Sequence, residues 1–236
     1  MKIGLVGNPN VGKSTIFNAL TGMRQHTGNW PGKTVEKATG HIKYKNKTYE
    51  IEDLPGTYSL KPHSKEEEVT RDFIYSQNYD GLIIVCDATL LERNLMLVLQ
   101  ILEVTDKVIV CLNLIDEAIK KQVKIDKEKL ENLLKVPVIF TNARNKKGIN
   151  EILEKIETLK EGSGYKINYD NLLIESVENI LPHVNYKKYL AFKLLQGEIN
   201  NPKLNDEINK SLNKLREKGY EVKSMLDIIA NDENTS

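Results

Sequence analysis

The chain has 236 residues, a formal charge of +1 and 28% charged residues, enough for one large domain or an ordinary domain with a small companion. Balanced charge excludes a strong pull toward nucleic acid or an anionic membrane surface. Cys86 and Cys111 sit inside apolar runs, which excludes a disulfide scaffold and a zinc site. No signal peptide precedes the first motif and no apolar run approaches the roughly 18 residues of a membrane span, so the chain as given reads as soluble.

Ile3-Gly4-Leu5-Val6 predicts a first strand. It runs into Gly7-Asn8-Pro9-Asn10-Val11-Gly12-Lys13-Ser14-Thr15, and a helical pattern follows over Ser14 to Leu20. The loop fits G-x-x-x-x-G-K-[ST], whose backbone N–H groups and lysine wrap the phosphates of a nucleotide. The positive end of the following helix dipole favours the same anion. Lys13 can follow charge onto the β- and γ-phosphates, and Ser14 supplies a hydroxyl for Mg²⁺. The bland alternative is a glycine turn with a capping serine.

Gly22 to Val35, which holds the only tryptophan, has neither helical nor strand period and reads as a loop. Thr39–Tyr44 and Thr48–Asp53 are extended runs joined by Lys45-Asn46-Lys47, a hairpin signal. Asp53-Leu54-Pro55-Gly56 ends the second run. An aspartate there suits Mg²⁺, reached directly or through water, and Gly56 leaves its N–H open to a γ-phosphate oxygen. Lys65–Gln77 is helix-forming, with Lys65 to Glu68 its solvated start. Gly81–Cys86 and Val108–Leu112 are unbroken apolar runs suited to strands buried on both faces, with a helix over Leu90–Glu103 between them.

Asn113-Leu114-Ile115-Asp116 follows the second of these runs. A carboxylate can accept from the guanine N1–H and 2-amino group, a donor pair that adenine lacks. Asp126–Leu134 is amphipathic and Val136–Phe140 is a further strand. Thr141-Asn142-Ala143 then offers a backbone N–H to the guanine O6, and Ile149–Leu159 closes with a helix. Alternating strands and helices predict a doubly wound α/β sheet, mostly parallel with one antiparallel edge hairpin, and ligand loops at the strands' carboxyl ends.

At Glu161-Gly162-Ser163-Gly164 this pattern stops. Helices are predicted over Leu172–Leu181, Lys187–Leu195, Asp206–Lys218 and Val222–Ala230, with Pro182, Gly197 and Gly219 as stop signals. The expected division is a nucleotide-binding domain over 1–162, a small helical domain over 165–231 and a polar tail over 232–236.

The order of these loops resembles the translation-factor-related class of P-loop GTPases over about residues 1–160. That class usually carries N-K-x-D where this chain has Leu114 in place of the lysine, and S-A where it has Asn142-Ala143. Both changes loosen contacts to the base, so guanine selectivity with modest affinity is expected. Thr57, followed by Tyr58, stands where a glutamine often orients the attacking water, and slow intrinsic hydrolysis is expected.

Gly28-Asn29-Trp30-Pro31-Gly32-Lys33-Thr34-Val35-Glu36, with Asp53 to Leu60 (D-L-P-G-T-Y-S-L), is similar to the cytosolic G domain of the ferrous iron transporter FeoB family. Tyr189 to Glu198 resembles that family's helical, nucleotide-dissociation-inhibitor-like domain. The resemblance implies a GTPase whose GTP-to-GDP cycle regulates Fe²⁺ passage. It makes Thr34 a Mg²⁺ ligand beside Ser14 and Asp53, and a sensor of the γ-phosphate. It makes Asn10 a K⁺ ligand, with the backbone carbonyls of Gly28 and Trp30 completing the cage. A cation between the phosphates takes the charge role of an arginine finger, and Pro9 fills the space a partner's finger would need.

The residues so assigned to hydrolysis are Asn10, Lys13, Thr34 and Gly56. Nucleotide contacts are assigned to Gly7 through Thr15, Thr34, Asp53, Gly56, Asn113, Asp116, Asn142 and Ala143. Implied partners are guanine nucleotide, the transporter's membrane-spanning part, small regulatory proteins and further copies of the chain, with no nucleic acid. The implied place is the cytoplasmic face of the cell membrane.

Two other readings stay open. A ribosome- or tRNA-associated GTPase usually adds a basic module, whereas residues 165–236 mix acids and bases without an aromatic platform. A nucleotide-binding module with negligible turnover is kept alive by the missing glutamine. Cys86 and Cys111 read as small core hydrophobes, and Asp87 as a helix cap. His26, His41, His63 and His183 lack metal spacing, so no iron site is expected.

Overall fold

Gly81-Leu82-Ile83-Ile84-Val85-Cys86 is buried at every position, because its side chains alternate between two apolar layers that both need filling. This run is β5 (Gly81–Asp87) of a seven-stranded sheet with order β2-β3-β4-β1-β5-β6-β7. The computed structural model describes residues 1–22, 25–159, 171–184, 188–195, 197 and 201–218. The other strands are β1 (Lys2–Gly7), β2 (Gln25–Asn29), β3 (Glu36–Tyr44), β4 (Lys47–Asp53), β6 (Val108–Asn113) and β7 (Val138–Phe140). From β4 through β1, β5, β6 and β7 the pairs are parallel, while β2-β3-β4 is an antiparallel meander.

Helices cover both faces. On one, α2 (Lys65–Ser76) and α3 (Leu91–Leu102) meet Val6, Leu82, Ile84 and Val110 through Phe73, Ile74, Leu97 and Val98. On the other, α1 (Lys13–Thr21) and α6 (Ile149–Glu157) cover Leu5, Ile83, Val85 and Ile109 with Ile16, Phe17, Ile152 and Ile156. Two short helices complete the unit, α4 (Ile115–Lys120) and α5 (Lys127–Leu134). This is the doubly wound P-loop GTPase architecture, with the loops after β1, β4, β6 and β7 gathered at one end.

The structure differs from the sequence reading in three places. Residues 25–29, read as loop, form the edge strand β2. Its exposed His26-Thr27-Gly28-Asn29 buries no apolar face, so only the ladder to β3 makes it a strand. The last strand starts at Val138, after Pro137, whose carbonyl accepts from Val110 N at 2.9 Å. The short α4 was not foreseen. The start of α2 is solvated as expected, with Lys65 and Glu66 exposed, and it is capped: Ser64 Oγ accepts from Glu67 N at 3.1 Å, and Glu67 accepts from His63 N at 2.7 Å.

The chain divides into two compact units, Met1–Tyr165 and Lys166–Ser236. The second holds α7 (Asn171–Ile180), α8 (Lys188–Leu195) and α9 (Asn205–Glu217), around Leu173, Val177, Phe192, Leu195, Ile208 and Leu215. The predicted break at Glu161–Gly164, the stop at Gly219 after the helix over Asp206–Lys218, the helix over Val222–Ala230 and the tail lie outside the described residues. Among those described, no helix is long and apolar enough to cross a membrane.

Helix α1 crosses the sheet where β3 has Gly40. A methyl there would collide with the Thr21 side chain and press on Phe17 Cζ. Gly40→Ala is expected to lower stability by about 1–3 kcal/mol, read as a reduced denaturant midpoint. Adding Thr21→Ser, which keeps the hydroxyl bond to Phe17 O (2.8 Å), should recover part of that loss.

Candidate functional site

The phosphate loop is shaped by close backbone approach. A side chain at Gly7 would run into the Val85 carbonyl, and one at Gly12 into the Asn113 amide. Asn10 (φ 66°) and Gly12 (φ 84°) adopt the left-handed conformation, which asparagine tolerates and glycine takes freely. Helix α1 then begins at Lys13 without a side-chain cap. Its first N–H groups are therefore left for a ligand.

These groups open on a cleft of about 620 Å³, whose wall includes Asn8, Pro9, Asn10, Gly12, Lys13, Ser14, Thr15, Pro55, Gly56 and Glu66. Lys13 Nζ pairs with the Asp53 carboxylate, so the phosphate lysine and the strand-end aspartate face each other. The D-L-P-G segment lies directly on the loop. A Cβ on Gly56 would stand 3.1 Å from Pro9 N, and Thr57 N donates to Gly7 O at 3.1 Å. Helix α2 holds the same segment, with Thr70 Oγ1 donating to Pro55 O at 2.7 Å.

Asn113, at the end of β6, joins three loops. Its Nδ2 donates to Val11 O at 3.0 Å, and its Oδ1 accepts from Thr141 Oγ1 and Ala143 N, both at 3.2 Å. The side chain is almost fully buried, as are Thr141 and Asn142. Leu114 takes φ 60° and precedes α4, so Asp116 stands in that helix's first turn. A left-handed leucine costs about 1–2 kcal/mol, held here by Leu114 O accepting from Ala118 N at 3.0 Å. Asn142 Oδ1 accepts from Asn145 N at 3.3 Å, so the asparagine in the serine's place caps the turn that carries Ala143.

Of the assigned residues, Asn8, Pro9, Asn10, Gly12, Lys13, Ser14, Thr15 and Gly56 line the cleft, Asp53 meets it through Lys13, and Asn113 ties the loop at Val11 to Ala143, while Gly7, Val11, Asp116 and Asn142 are not on its wall. Ser14 and Asp53 offer hard oxygen donors of the kind Mg²⁺ takes. Thr34, Gly28 and Trp30 do not line the cleft. Gly28 lies in β2 opposite Lys37, Thr34 is exposed, and Trp30 packs edge to face on Phe73 of α2, with centroids 5.9 Å apart. Glu66 reaches the cleft wall, which sequence reasoning missed because it turned the first turn of α2 toward solvent.

Thr57 is fully buried, its hydroxyl donating to Ser59 O at 2.6 Å. It has no free group to orient a water. Burial pushes the Cys86 thiol up to about 12, and Cys111 well above the usual thiol range, as inert core thiols require. Asp87 Oδ1 accepts from Thr89 N at 2.7 Å, in the capping role expected of it. His26 and His41 meet edge to face at 6.1 Å across β2 and β3, and His41 lies 3.3 Å from Glu50. Linear spacing hid that pair. Among the described residues no group of three or more His, Cys, Asp or Glu is placed to hold a metal.

A family model described as ferrous iron transport protein B matches residues 1–156. The Fe(2+) transporter FeoB of Staphylococcus aureus is 39% identical over 234 residues, covering 96% of this chain and 35% of that protein. The Escherichia coli FeoB is 37% identical over 210 residues, 84% of this chain and 27% of its own length. The chain therefore spans about a third of the curated relatives it matches. Among solved structures, a mutant of S. thermophilus NFeoB bound to GDP superposes with a TM-score of 0.85 at 33% identity, over 99% of this chain and 97% of that one. The G domain of the T. maritima iron transporter FeoB is 45% identical, with a TM-score of 0.64 over 67% of this chain and 98% of its own.

Asn113→Ala removes three hydrogen bonds and strands buried partners, each worth about 1–3 kcal/mol. A loss of at least ~2 kcal/mol in unfolding free energy is expected by denaturant titration, with nucleotide binding weakened in parallel.

Proposed function

The chain belongs to the ferrous iron transport protein B family, and from that premise we propose that its first unit binds GTP and hydrolyses it to GDP and phosphate, as the cytosolic switch of a Fe²⁺ transporter. The observation that carries this reading is the cleft itself. An uncapped helix N-terminus, Lys13 and Asp53 converge there beside a loop system stitched together by Asn113.

Backbone N–H groups from Gly7 to Thr15 and the Lys13 ammonium take the phosphate oxygens, which requires Lys13 to exchange Asp53 for the nucleotide. Ser14 and Asp53 would hold Mg²⁺, with Thr34 joining them. When bound, the ion neutralises charge developing on the β- and γ-phosphates. Gly56, whose backbone passes against Pro9, turns its N–H to the γ-phosphate. Asp116 reads the guanine N1–H and 2-amino group, Asn113 supports the base loop, and Asn142 and Ala143 bound the O6 position.

Thr57 is turned inward and offers hydrolysis no group to orient water. Charge stabilisation is the route this reading assigns, and the residue for it is Asn10, exposed on the cleft with left-handed backbone. A K⁺ ion held there would also need the carbonyls of Gly28 and Trp30, so its site forms only when the end of β2 and the loop over residues 30–35 move to the cleft together. Residues 1–162 act as the nucleotide switch. The helical domain over 165–231 relays its state to the membrane-spanning part of such a transporter at the cytoplasmic face, with small regulatory proteins and further copies of the chain as additional partners.

Two measurements test the assignment. GTP hydrolysis by the wild-type chain should run faster in potassium than in sodium, and Asn10→Ala should give one low rate in both. Full potassium stimulation in that variant would remove Asn10 from the cation site. Asp116→Asn replaces an acceptor with a donor and should weaken GTP binding about a hundredfold while improving xanthine nucleotide binding. An unchanged GTP preference would mean that the base is read elsewhere.

A further inference from the structure

The loop that must bring Thr34 to the cleft is fastened to α2 by contacts that serve no purpose in nucleotide binding. Trp30 N donates to Val35 O at 2.9 Å and Lys33 N to Trp30 O at 3.0 Å, so residues 30–35 close on themselves as a unit. Trp30 seats this unit on Phe73, and Lys37 Nζ covers the indole ring at 4.8 Å. Lys33 Nζ reaches Asp72 Oδ2 at 3.0 Å and Glu68 Oε2 at 3.4 Å, two carboxylates one helical turn apart on α2. Thr34 lies between Lys33, held by ions, and Val35, held by burial. With neighbouring Cα atoms only about 3.8 Å away on either side, it cannot swing alone.

We propose that Lys33 is a residue that tunes the preference between GTP and GDP against the triphosphate: its pairing with Glu68 and Asp72, together with Trp30 on Phe73, is a clasp that must be open before Thr34 can reach a γ-phosphate. The inference rests on the GTPase reading above and names the regulation of the same site. A diphosphate presents no γ-phosphate to Thr34 and binds whether the clasp is shut or open. A triphosphate gains the Thr34 contacts only from the open state, so its apparent affinity is reduced by the fraction of molecules in which the clasp is shut.

The clasp is built to be reversible. Lys33 and its partners remain in contact with water, where ion pairs are individually weak. Asp72 is shared with Arg71, whose Nε and Nη2 lie 2.9 and 2.7 Å from Oδ1. Burial alone would raise the Asp72 carboxyl, yet hydrogen bonds from Arg71 and Lys33 hold it below the usual carboxylate range. The shut state also leaves the Trp30 indole N–H buried without a partner, which opposes it. Because α2 also holds Pro55 through Thr70, the clasp joins the Thr34 loop to the Gly56 segment through one helix.

The chain's single tryptophan is the reporter of its own seat. In Lys33→Ala, Trp30 emission without nucleotide should shift to the red and become more accessible to acrylamide. A non-hydrolysable GTP analogue should bind about two- to fivefold tighter, while GDP affinity stays within twofold of wild type. Asp72→Asn should shift both readouts in the same direction. Lys33→Glu combined with Asp72→Lys and Glu68→Lys should return both toward wild type. Unchanged emission, or an unchanged ratio of analogue to GDP affinity, in both single variants overturns the clasp. Failure of the wild-type chain to bind either guanine nucleotide would instead sink the GTPase reading, so the two failures are distinguishable.

Discussion

One buried amide holds the ligand end of this fold together. Asn113 leaves β6 and bonds the Val11 carbonyl, the Thr141 hydroxyl and the Ala143 N–H, reaching loops that follow β1 and β7. Parallel strands make this feasible, because their carboxyl ends lie side by side and present three loops to one side chain. The loops need it because irregular backbone at a buried end leaves polar groups that no ladder satisfies. Gly12 follows from the same contact, since any Cβ there would occupy the Asn113 amide. The phosphate loop is therefore shaped by a residue far along the chain as much as by its own glycines.

Beside that tie, two charged groups of the cleft are already paired with one another. Lys13 and Asp53 neutralise one another across the cleft, so neither is left as a lone charge at a wall that excludes much of the water. Phosphate and a divalent cation would offer each a replacement of the proper sign. Thr57, by contrast, is committed to the interior. The proposed route for charge stabilisation therefore runs through Asn10, which is exposed on the cleft.

Helix α2 is the common seat of the two segments proposed to move. Thr70 grips the D-L-P-G segment, while Phe73, Asp72 and Glu68 receive the Trp30–Val35 loop. The capping interactions of Ser64 and Glu67 at its start steady the helix that both parts lean on. A loop docked this way does not conflict with the roles proposed for Thr34, Gly28 and Trp30. It describes the state from which they would be drawn.

The sequence by itself determined the strongly patterned parts of the molecule. The apolar runs of β5 and β6 have no other soluble home than a sheet covered on both faces, and G-N-P-N-V-G-K-S-T between strand and helix has few uses besides phosphate binding. The order of the four loop motifs pointed to the fold class, and the segments Gly28–Glu36 and Asp53–Leu60 to the family. Tertiary structure alone decided the rest. Strand β2 exists because β3 offers it a ladder, not because His26-Thr27-Gly28-Asn29 has strand character. Asn113 reads as a base contact in isolation and becomes a tie between loops only when three strand ends meet. Lys33 and Trp30 read as members of a mobile loop until α2 supplies Asp72, Glu68 and Phe73. Periodicity reports which side chains seek burial and motifs report local chemistry. Neither reports which polar groups from distant segments will satisfy one another, because that is settled by packing.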